Sequence, residues 1–274
     1  GQLALGTSLR SSLNYVGYEP TQVRPFDEEL RENLKDWQLV NKLSLSATLD
    51  RRRGLFLSPS SGYLLKQVVT TTGGVLLGDR HYNRTDTTGE VYFTLFDVPV
   101  TELWSWKLVL AAHSDISFMI PQFWVPSEYQ GRGMPDSYAG PGGFVPGPDL
   151  LETNPMFIAR GWDPVTDGEA LWNNWLELRM PIFEQVVWFD TFFDAVSLWE
   201  DPAQITTLGP GNMLFGIGAG FRFTIPQFPI RLYLAKRFVI GDSGIEWQQG
   251  EFFRWTDNPN GGLDFVFAIG ADFF

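Results

Sequence analysis

The residue types that carry most protein chemistry are scarce in this sequence. It has no cysteine, which excludes disulfides, thiolate metal sites and a cysteine nucleophile. Its two histidines, His81 and His113, stand far apart, whereas a zinc site needs several ligands at close spacing. The sequence contains no nucleophile elbow, phosphate-binding loop or dinucleotide-binding fingerprint. We therefore expect a protein that is not an enzyme and that binds no metal or cofactor.

The charge balance argues against a nucleic-acid partner. The 274 residues include 20 Lys and Arg against 32 Asp and Glu, a formal net charge of −12, whereas nucleic-acid binding requires a basic surface. Aromatic residues make up 15% of the chain and charged residues only 19%. A helix that spans a membrane needs roughly 20 consecutive apolar residues, and no such run occurs. The composition favours a protein with extensive aromatic surface.

Apolar residues recur at every second position, which is the period of a β-strand. Within residues 214–225, for example, Phe215, Ile217, Phe221 and Phe223 alternate with glycine and polar residues. Turn-rich stretches separate about ten such segments. The predicted strands cover residues 2–18, 36–50, 61–73, 81–98, 102–119, 169–181, 185–199, 212–225, 228–241 and 262–274. The sequence therefore predicts an all-β fold.

The lengths of the connections indicate how the strands are arranged. Every second connection is short or of medium length, whereas the remaining connections include every long loop. Short turns at one rim and long loops at the other are typical of an outer-membrane β-barrel, in which the short turns face the periplasm. A soluble β-sandwich gives the same alternation but has no reason to sort its loops by length. We therefore predict a transmembrane antiparallel β-barrel with both termini in the periplasm.

Two further features concern the strand ends and the longest loop. Residues 120–168 are rich in Pro, Gly and aromatic residues, and since structureless links beyond about 15 residues are usually functional or disordered, we expect this loop to pack against the chain. Tryptophans near strand ends would lie at the membrane interfaces, with core packing as the alternative. These tryptophans are Trp104, Trp106, Trp172, Trp175, Trp188 and Trp199.

Two small clusters have a functional and a structural interpretation. Arg51, Arg52 and Arg53 could bind anionic headgroups, although the turn signals that follow them favour a charged turn at the barrel rim. The glycines of residues 216–220 are spaced by two, unlike those of a phosphate-binding loop. They are predicted to leave space on the lumen face of a strand.

Four parts of the sequence resemble the motifs of one superfamily, in the same order. Residues 53–62 look like a periplasmic turn, R-x-x-F-P-x-x-G, and residues 157–163 resemble the loop signature (V/I)RG(F/Y). Residues 175–178 and 192–199 are similar to the two strands after that loop, and residues 265–274 resemble a terminal strand, F-x-F-x-I-G-x-x-aromatic. The superfamily is that of BamA-like outer-membrane assembly factors and two-partner-secretion transporters.

This resemblance implies that the longest loop folds back into the barrel lumen. Arg160 would meet the carboxylates of Glu177 and Asp194, the positions that match the arginine's partners in the family. A guanidinium can donate hydrogen bonds to two carboxylates in a confined lumen. Gly161 would allow a tight turn, and Trp162 would provide an apolar anchor. In the alternative interpretation Arg160 is a solvated loop residue and the two acids line a pore.

The C-terminal segment carries the other residues that the resemblance implies. Gly270 matches a glycine at which the last strand of the family kinks and pairs weakly with the first. That weak lateral seam is where client strands would add by β-augmentation. The sequence ends in two aromatic residues, where the family usually has one. The matching residues are Phe265, Phe267, Ile269, Gly270, Phe273 and Phe274.

The resemblance also bears on domain organisation and function. Family barrels have about sixteen strands after periplasmic POTRA modules, so we expect residues 1–274 to be the C-terminal part of a larger outer-membrane barrel, with POTRA modules absent. The implied function is the folding and insertion of outer-membrane proteins. The implied partners are unfolded clients, membrane lipids with lipopolysaccharide or an equivalent outer-leaflet lipid, and accessory lipoproteins, but no nucleic acid. A two-partner-secretion transporter and a passive porin are the alternatives.

Overall fold

The computed structural model consists almost entirely of strands. It describes residues 2–16, 36–78, 80–101, 104–120, 122, 150–165, 168–183, 186–225, 228–252 and 260–270. The strands are β1 (Gln2–Val16), β2 (Asp36–Asp50), β3 (Arg53–Leu55), β4 (Ser58–Thr72), β5 (Tyr82–Thr101), β6 (Trp104–Ile120), β7 (Ala170–Phe183), β8 (Val187–Trp199), β9 (Leu214–Phe223), β10 (Ile230–Gly241), β11 (Gly244–Trp247) and β12 (Asp264–Ile269). Short 3-10 helices lie at Gly74–Leu76, Pro202–Thr207 and Pro210–Asn212. Within the described ranges, no helix has the length and apolarity needed to cross a membrane.

The strands form one antiparallel sheet in which each long strand pairs with its neighbours along the chain. Strands β1, β2 and β4 to β10 follow one another in the sheet in chain order, and β3 pairs only with β4. Strands β11 and β12 pair with different halves of β10. All ten predicted strands are present, and β3 and β11 lie in segments predicted as connections. Among the described residues no pairing joins β1 to β12, so the sheet is not closed. The predicted all-β, antiparallel fold class is confirmed.

The two faces of the sheet differ in chemistry. On the face that we call inner, side chains such as Glu177, Asp190 and Asp194 are at most 2% exposed. On the opposite, outer face, large apolar side chains such as Leu65 and Phe221 are exposed. A soluble β-sandwich would turn its apolar face inward, whereas a membrane barrel presents an apolar face to lipid and a polar face to its interior. The alternation therefore favours the barrel.

The tryptophans do not share the predicted position at the membrane interfaces. Trp106 is exposed on the outer face, as expected. Trp188 is buried on the inner face, and Trp175 stacks inside on His113 with ring centroids 5.0 Å apart. The side chain of Trp104 lies outside the described residues. For Trp175 and Trp188 the interfacial prediction is therefore wrong, because the strand phase turns both rings toward the interior.

Candidate functional site

The described end of the longest loop, residues 150–165, packs on the inner face of the sheet. Ile158 and Ala159 are buried in an apolar cluster with inner-face residues that include Met119, Leu171 and Val196. Burial of such side chains stabilises the docked position by the hydrophobic effect. Residues 123–149 of the loop lie outside the described residues. The part of the loop that carries the arginine motif is thus held against β6, β7 and β8.

A sharp turn presents the arginine of this motif. Ala159 and Gly161, on either side of Arg160, have positive φ angles of 57° and 85°. The Trp162 amide donates to the Ala159 carbonyl at 3.0 Å, and Trp162 Nε1 donates to the Phe215 carbonyl at 2.9 Å. A Cβ at Gly161 would lie 3.0 Å from the Cβ of Ala235 on β10. Only glycine both adopts this backbone conformation without strain and lets the loop approach the sheet this closely.

Arg160 lies between the carboxylates of Glu177 and Asp194. Its Nη1 donates to Glu177 Oε1 at 2.6 Å, while its Nε and Nη2 donate to the two oxygens of Asp194 at 2.8 and 2.5 Å. The Arg160 backbone amide also donates to Asp194, at 3.1 Å. Arg160 is 2% exposed and Asp194 1%. This fork geometry is the strongest arrangement available to an arginine and carboxylates.

Further charges surround this arrangement. Glu177 Oε2 also accepts from Arg179 and Arg222, at 2.6 and 2.7 Å. Arg222 in turn pairs with Asp190 at 2.7 Å, and the Tyr233 hydroxyl donates to Asp190 at 2.9 Å. We call the six charged side chains the inner ionic cluster: Arg160, Arg179, Arg222, Glu177, Asp190 and Asp194. Three of its members are positive and three negative, and each buried charge has an opposite partner within the cluster.

The loop arginine stays charged in these surroundings. Burial opposes the charged form, but the negative charges of Asp194 and Glu177 outweigh it and raise the pKa of Arg160 above its ordinary value. Two aromatic rings flank the same guanidinium, with the Phe192 centroid 3.7 Å and the Tyr233 centroid 5.4 Å from its central carbon. Cation–π attraction adds to the ion pairs at such distances.

The glycine run of β9 provides the space for these rings. A Cβ at Gly218 would lie 2.5 Å from Cε1 of Phe192, and a Cβ at Gly220 would lie 2.7 Å from Cδ1 of Tyr233. Each Cβ would lie even closer to a backbone carbonyl oxygen of β10, that of Leu234 or of Leu232. Any larger residue would therefore displace a ring and disturb the pairing with β10. The space predicted from the glycine spacing is therefore filled by the aromatic residues that flank Arg160.

Replacing Gly218 with Ala should displace Phe192 and lower stability by about 1–3 kcal/mol, the usual cost of overpacking. Urea unfolding in detergent micelles, followed by tryptophan fluorescence, measures the loss. The matched control is Gly211→Ala, whose Cβ would lie an ordinary 3.7 Å from the Ile240 carbonyl oxygen. Equal midpoints for the two variants would show that Phe192 does not need the glycine.

The predicted C-terminal residues lie on the edge of the sheet. Phe265, Phe267 and Ile269 are exposed on the outer face of β12, which pairs with β10 over six residues. Gly270 has a φ of 122° and its amide donates to the Pro229 carbonyl at 3.0 Å. No atom lies within 4 Å of a Cβ built at Gly270, so backbone conformation rather than space favours glycine there. Phe273 and Phe274 lie outside the described residues.

The two predicted sets of residues meet at one point. A Cβ at Gly161 would lie 3.4 Å from the Cβ of Asp264 and 3.8 Å from Val266 Cγ2. Both of these residues belong to the inner face of β12, whereas Phe265 and Phe267 point outward. The loop motif therefore packs against the inner face of the strand whose outer face carries the terminal motif.

Sequence reasoning missed several members of the inner ionic cluster and its surroundings. Arg179 follows Glu177 by two residues, and Asp190 and Phe192 precede Asp194 by four and two. In a strand these spacings put side chains on one face, so extending the period from Glu177 and Asp194 would have found them. Within the described part of the chain, no group of His, Asp and Glu side chains is placed to hold a metal ion.

Comparison with known proteins agrees with this architecture. The model of the Omp85 superfamily domain matches residues 3–273. A protein of Treponema pallidum (strain Nichols), provisionally named an outer membrane protein assembly factor, is 30% identical over 257 residues. The match covers 85% of this chain but 29% of that relative, so the chain spans under a third of the relative's length. Since the family model covers nearly the whole chain, the chain belongs to the Omp85 superfamily and is an outer-membrane protein.

Proposed function

We propose that this chain is the C-terminal barrel part of an assembly factor that folds and inserts β-barrel proteins into the outer membrane. The observation that carries the proposal is the loop docked on the inner face, with Arg160 buried between Glu177 and Asp194. A passive porin keeps its polar inner face open to water, whereas here residues 150–165 cover the inner face of β6, β7 and β8. The name of the treponemal relative supports assembly over secretion.

The proposed activity needs no covalent chemistry, because strand addition uses backbone hydrogen bonds alone. Within the described ranges, β1 pairs on one side only, with β2. An edge strand with unpaired amides and carbonyls is a template for another strand. The opposite edge is short, since β12 pairs over six residues whereas β1 has fifteen. Such unequal edges make a weak seam, at which a client strand would enter near Gly270.

The proposal extends to the surroundings of the protein. Unfolded outer-membrane proteins are the clients, and accessory lipoproteins and lipids, including lipopolysaccharide or an equivalent lipid, are further partners. Both termini lie in the periplasm, because ten strands of alternating direction follow one another in the described residues, and an even number brings the chain back to the rim from which it starts. These strands are β1, β2, β4 to β10 and β12. We propose that the protein is not an enzyme and binds no nucleic acid.

Reconstitution into liposomes tests this function. We expect the protein to accelerate the folding of an added unfolded barrel protein, measured by its heat-modifiable migration on gels. The matched control is the Arg160→Ala variant, in which the loop is no longer held by its ion pairs. Ion conductance without any acceleration would indicate a porin. Transport of one polypeptide without its insertion would indicate a secretion transporter, and either result would refute the proposal.

A further inference from the structure

The turn after β2 concentrates positive charge in a chain whose net charge is −12. Of its three consecutive arginines, Arg52 is satisfied internally, since it donates to Asp50 at 2.9 Å and to Glu90 at 3.0 Å. Arg51 and Arg53 are exposed. Among the described residues, neither side chain has an ion pair or hydrogen bond. Two guanidinium groups are thus free to bind an anion.

The backbone of this turn is fixed before any ligand arrives. The Arg51 amide donates to the Tyr63 carbonyl at 2.8 Å. Gly62 has a φ of 95°, and a Cβ there would lie 2.9 Å from the Arg51 carbonyl carbon. Gly54, with a φ of 106°, lies at the register shift where β3 pairs with β4. A preorganised turn loses little entropy on binding, which favours affinity.

The arginines line an open pocket with an apolar side. The pocket has a volume of about 440 Å³ and includes Asp50, Leu55, Phe56 and Pro59 in its lining. Phe56 is 73% exposed. At the position before Asp50 in β2, the strand register places Leu3, Leu49 and Leu65 side by side on the outer face. A ligand with an anionic head at the arginines would therefore find apolar surface for its remaining part.

The position of the pocket in the sheet fits such a ligand. Alternate connections of an antiparallel sheet lie at the same end, so this turn shares its rim with the short β5–β6, β7–β8 and β9–β10 turns. In the orientation given under Proposed function, this rim faces the periplasmic side of the membrane. Arginines at such a rim gain from the negative surface potential of the lipid phosphates.

We propose that this pocket binds a phosphate group, with Arg51 and Arg53 as donors, and that the phosphate belongs to an anionic membrane lipid. Guanidinium groups donate paired hydrogen bonds to phosphate oxygens. Phe56 packs against the glycerol and acyl part of the lipid. An acidic protein segment would explain the arginines but not the exposed apolar ring of Phe56 in the lining of the same pocket.

Native mass spectrometry of the protein, titrated with phosphatidylglycerol in detergent, measures this binding. We expect the double variant R51Q/R53Q to bind the lipid roughly 25-fold more weakly, since each arginine near an anionic surface contributes about five-fold. The matched control, R10Q/K66Q, also removes two positive charges but lies outside the pocket, and it should bind like the wild type. Unchanged binding by R51Q/R53Q, or an equal loss in both double variants, would overturn the proposal.

A third variant and a second ligand identify the source of the phosphate. Phe56→Ser should weaken phosphatidylglycerol binding while leaving the binding of inorganic phosphate unchanged. If inorganic phosphate competes with the lipid at equal concentration, and Phe56→Ser changes neither, the site binds free phosphate and the lipid assignment is wrong. These measurements do not depend on assembly activity, so their outcome is separate from that of the proposed function.

Discussion

The Arg160→Ala variant should lose about 3–5 kcal/mol of stability, the usual cost of removing one member of a buried ion pair. Glu177 and Asp194 would remain at most 2% exposed without the guanidinium that binds both. Because Glu177 still has Arg179 and Arg222 as partners, most of the cost should fall on Asp194. Urea unfolding in micelles, followed by heat-modifiable migration, measures the change.

Two controls separate this effect from a general loss of charge. Arg84→Ala removes an arginine from a half-exposed pair with Asp86, and such pairs contribute less than about 1 kcal/mol. Arg160→Lys keeps the charge but cannot form the paired hydrogen bonds with Asp194. The urea midpoint of its unfolding should therefore lie between those of the wild type and Arg160→Ala. If Arg160→Ala resembled Arg84→Ala, Arg160 would be energetically a solvated loop residue, despite its geometry.

The long strands were predictable because each carries its own period. Alternation along residues 36–50 or 228–241 depends only on which face of the strand meets lipid. It therefore predicts where these strands begin and end to within a few residues. The short strands β3 and β11 were not predictable, because three or four residues show no period. They form only where a neighbouring strand offers hydrogen bonds, which is a tertiary property.

The candidate site was predictable only through resemblance. Charge and spacing alone do not show that Arg160 reaches strands 17 and 34 residues further along the chain. The predicted directions of the Trp175 and Trp188 side chains were wrong for a related reason. A tryptophan near a strand end satisfies an interface or a core equally well, and only the phase shared with Glu177 and Asp194 turns both rings inward.

Phe215 is an exception to the rule that the apolar side chains of the outer face are exposed. Its position in the alternation is outward, yet it is buried, because it stacks on Phe238 with centroids 5.1 Å apart and lies beside Phe193 at 5.9 Å. Cross-strand aromatic pairs stabilise a sheet on either face. Aromatic abundance therefore reflects both lipid contact and pairing between strands, and composition does not distinguish the two.

Glu177→Gln should lower the free energy of unfolding by about 3–5 kcal/mol, as much as Arg160→Ala. The cause is the loss of a negative rather than a positive charge. Glu177 accepts from Arg160, Arg179 and Arg222 at 2.6 to 2.7 Å. Its neutral replacement leaves three guanidinium groups facing two carboxylates in a buried space. The same unfolding measurement applies, with Glu152→Gln, an exposed site, as the control that makes the identical chemical change.

The double variant R160Q/E177Q separates charge balance from hydrogen-bond geometry. It leaves two arginines and two aspartates in the inner ionic cluster, so neutrality returns, and its loss should fall short of the sum of the single losses by about 0.5–3 kcal/mol. Strictly additive losses would mean that each residue acts through local packing alone. A shortfall would instead show that Arg160 and Glu177 stabilise the fold as a coupled pair, so that the loop arginine and the strand carboxylate depend on each other.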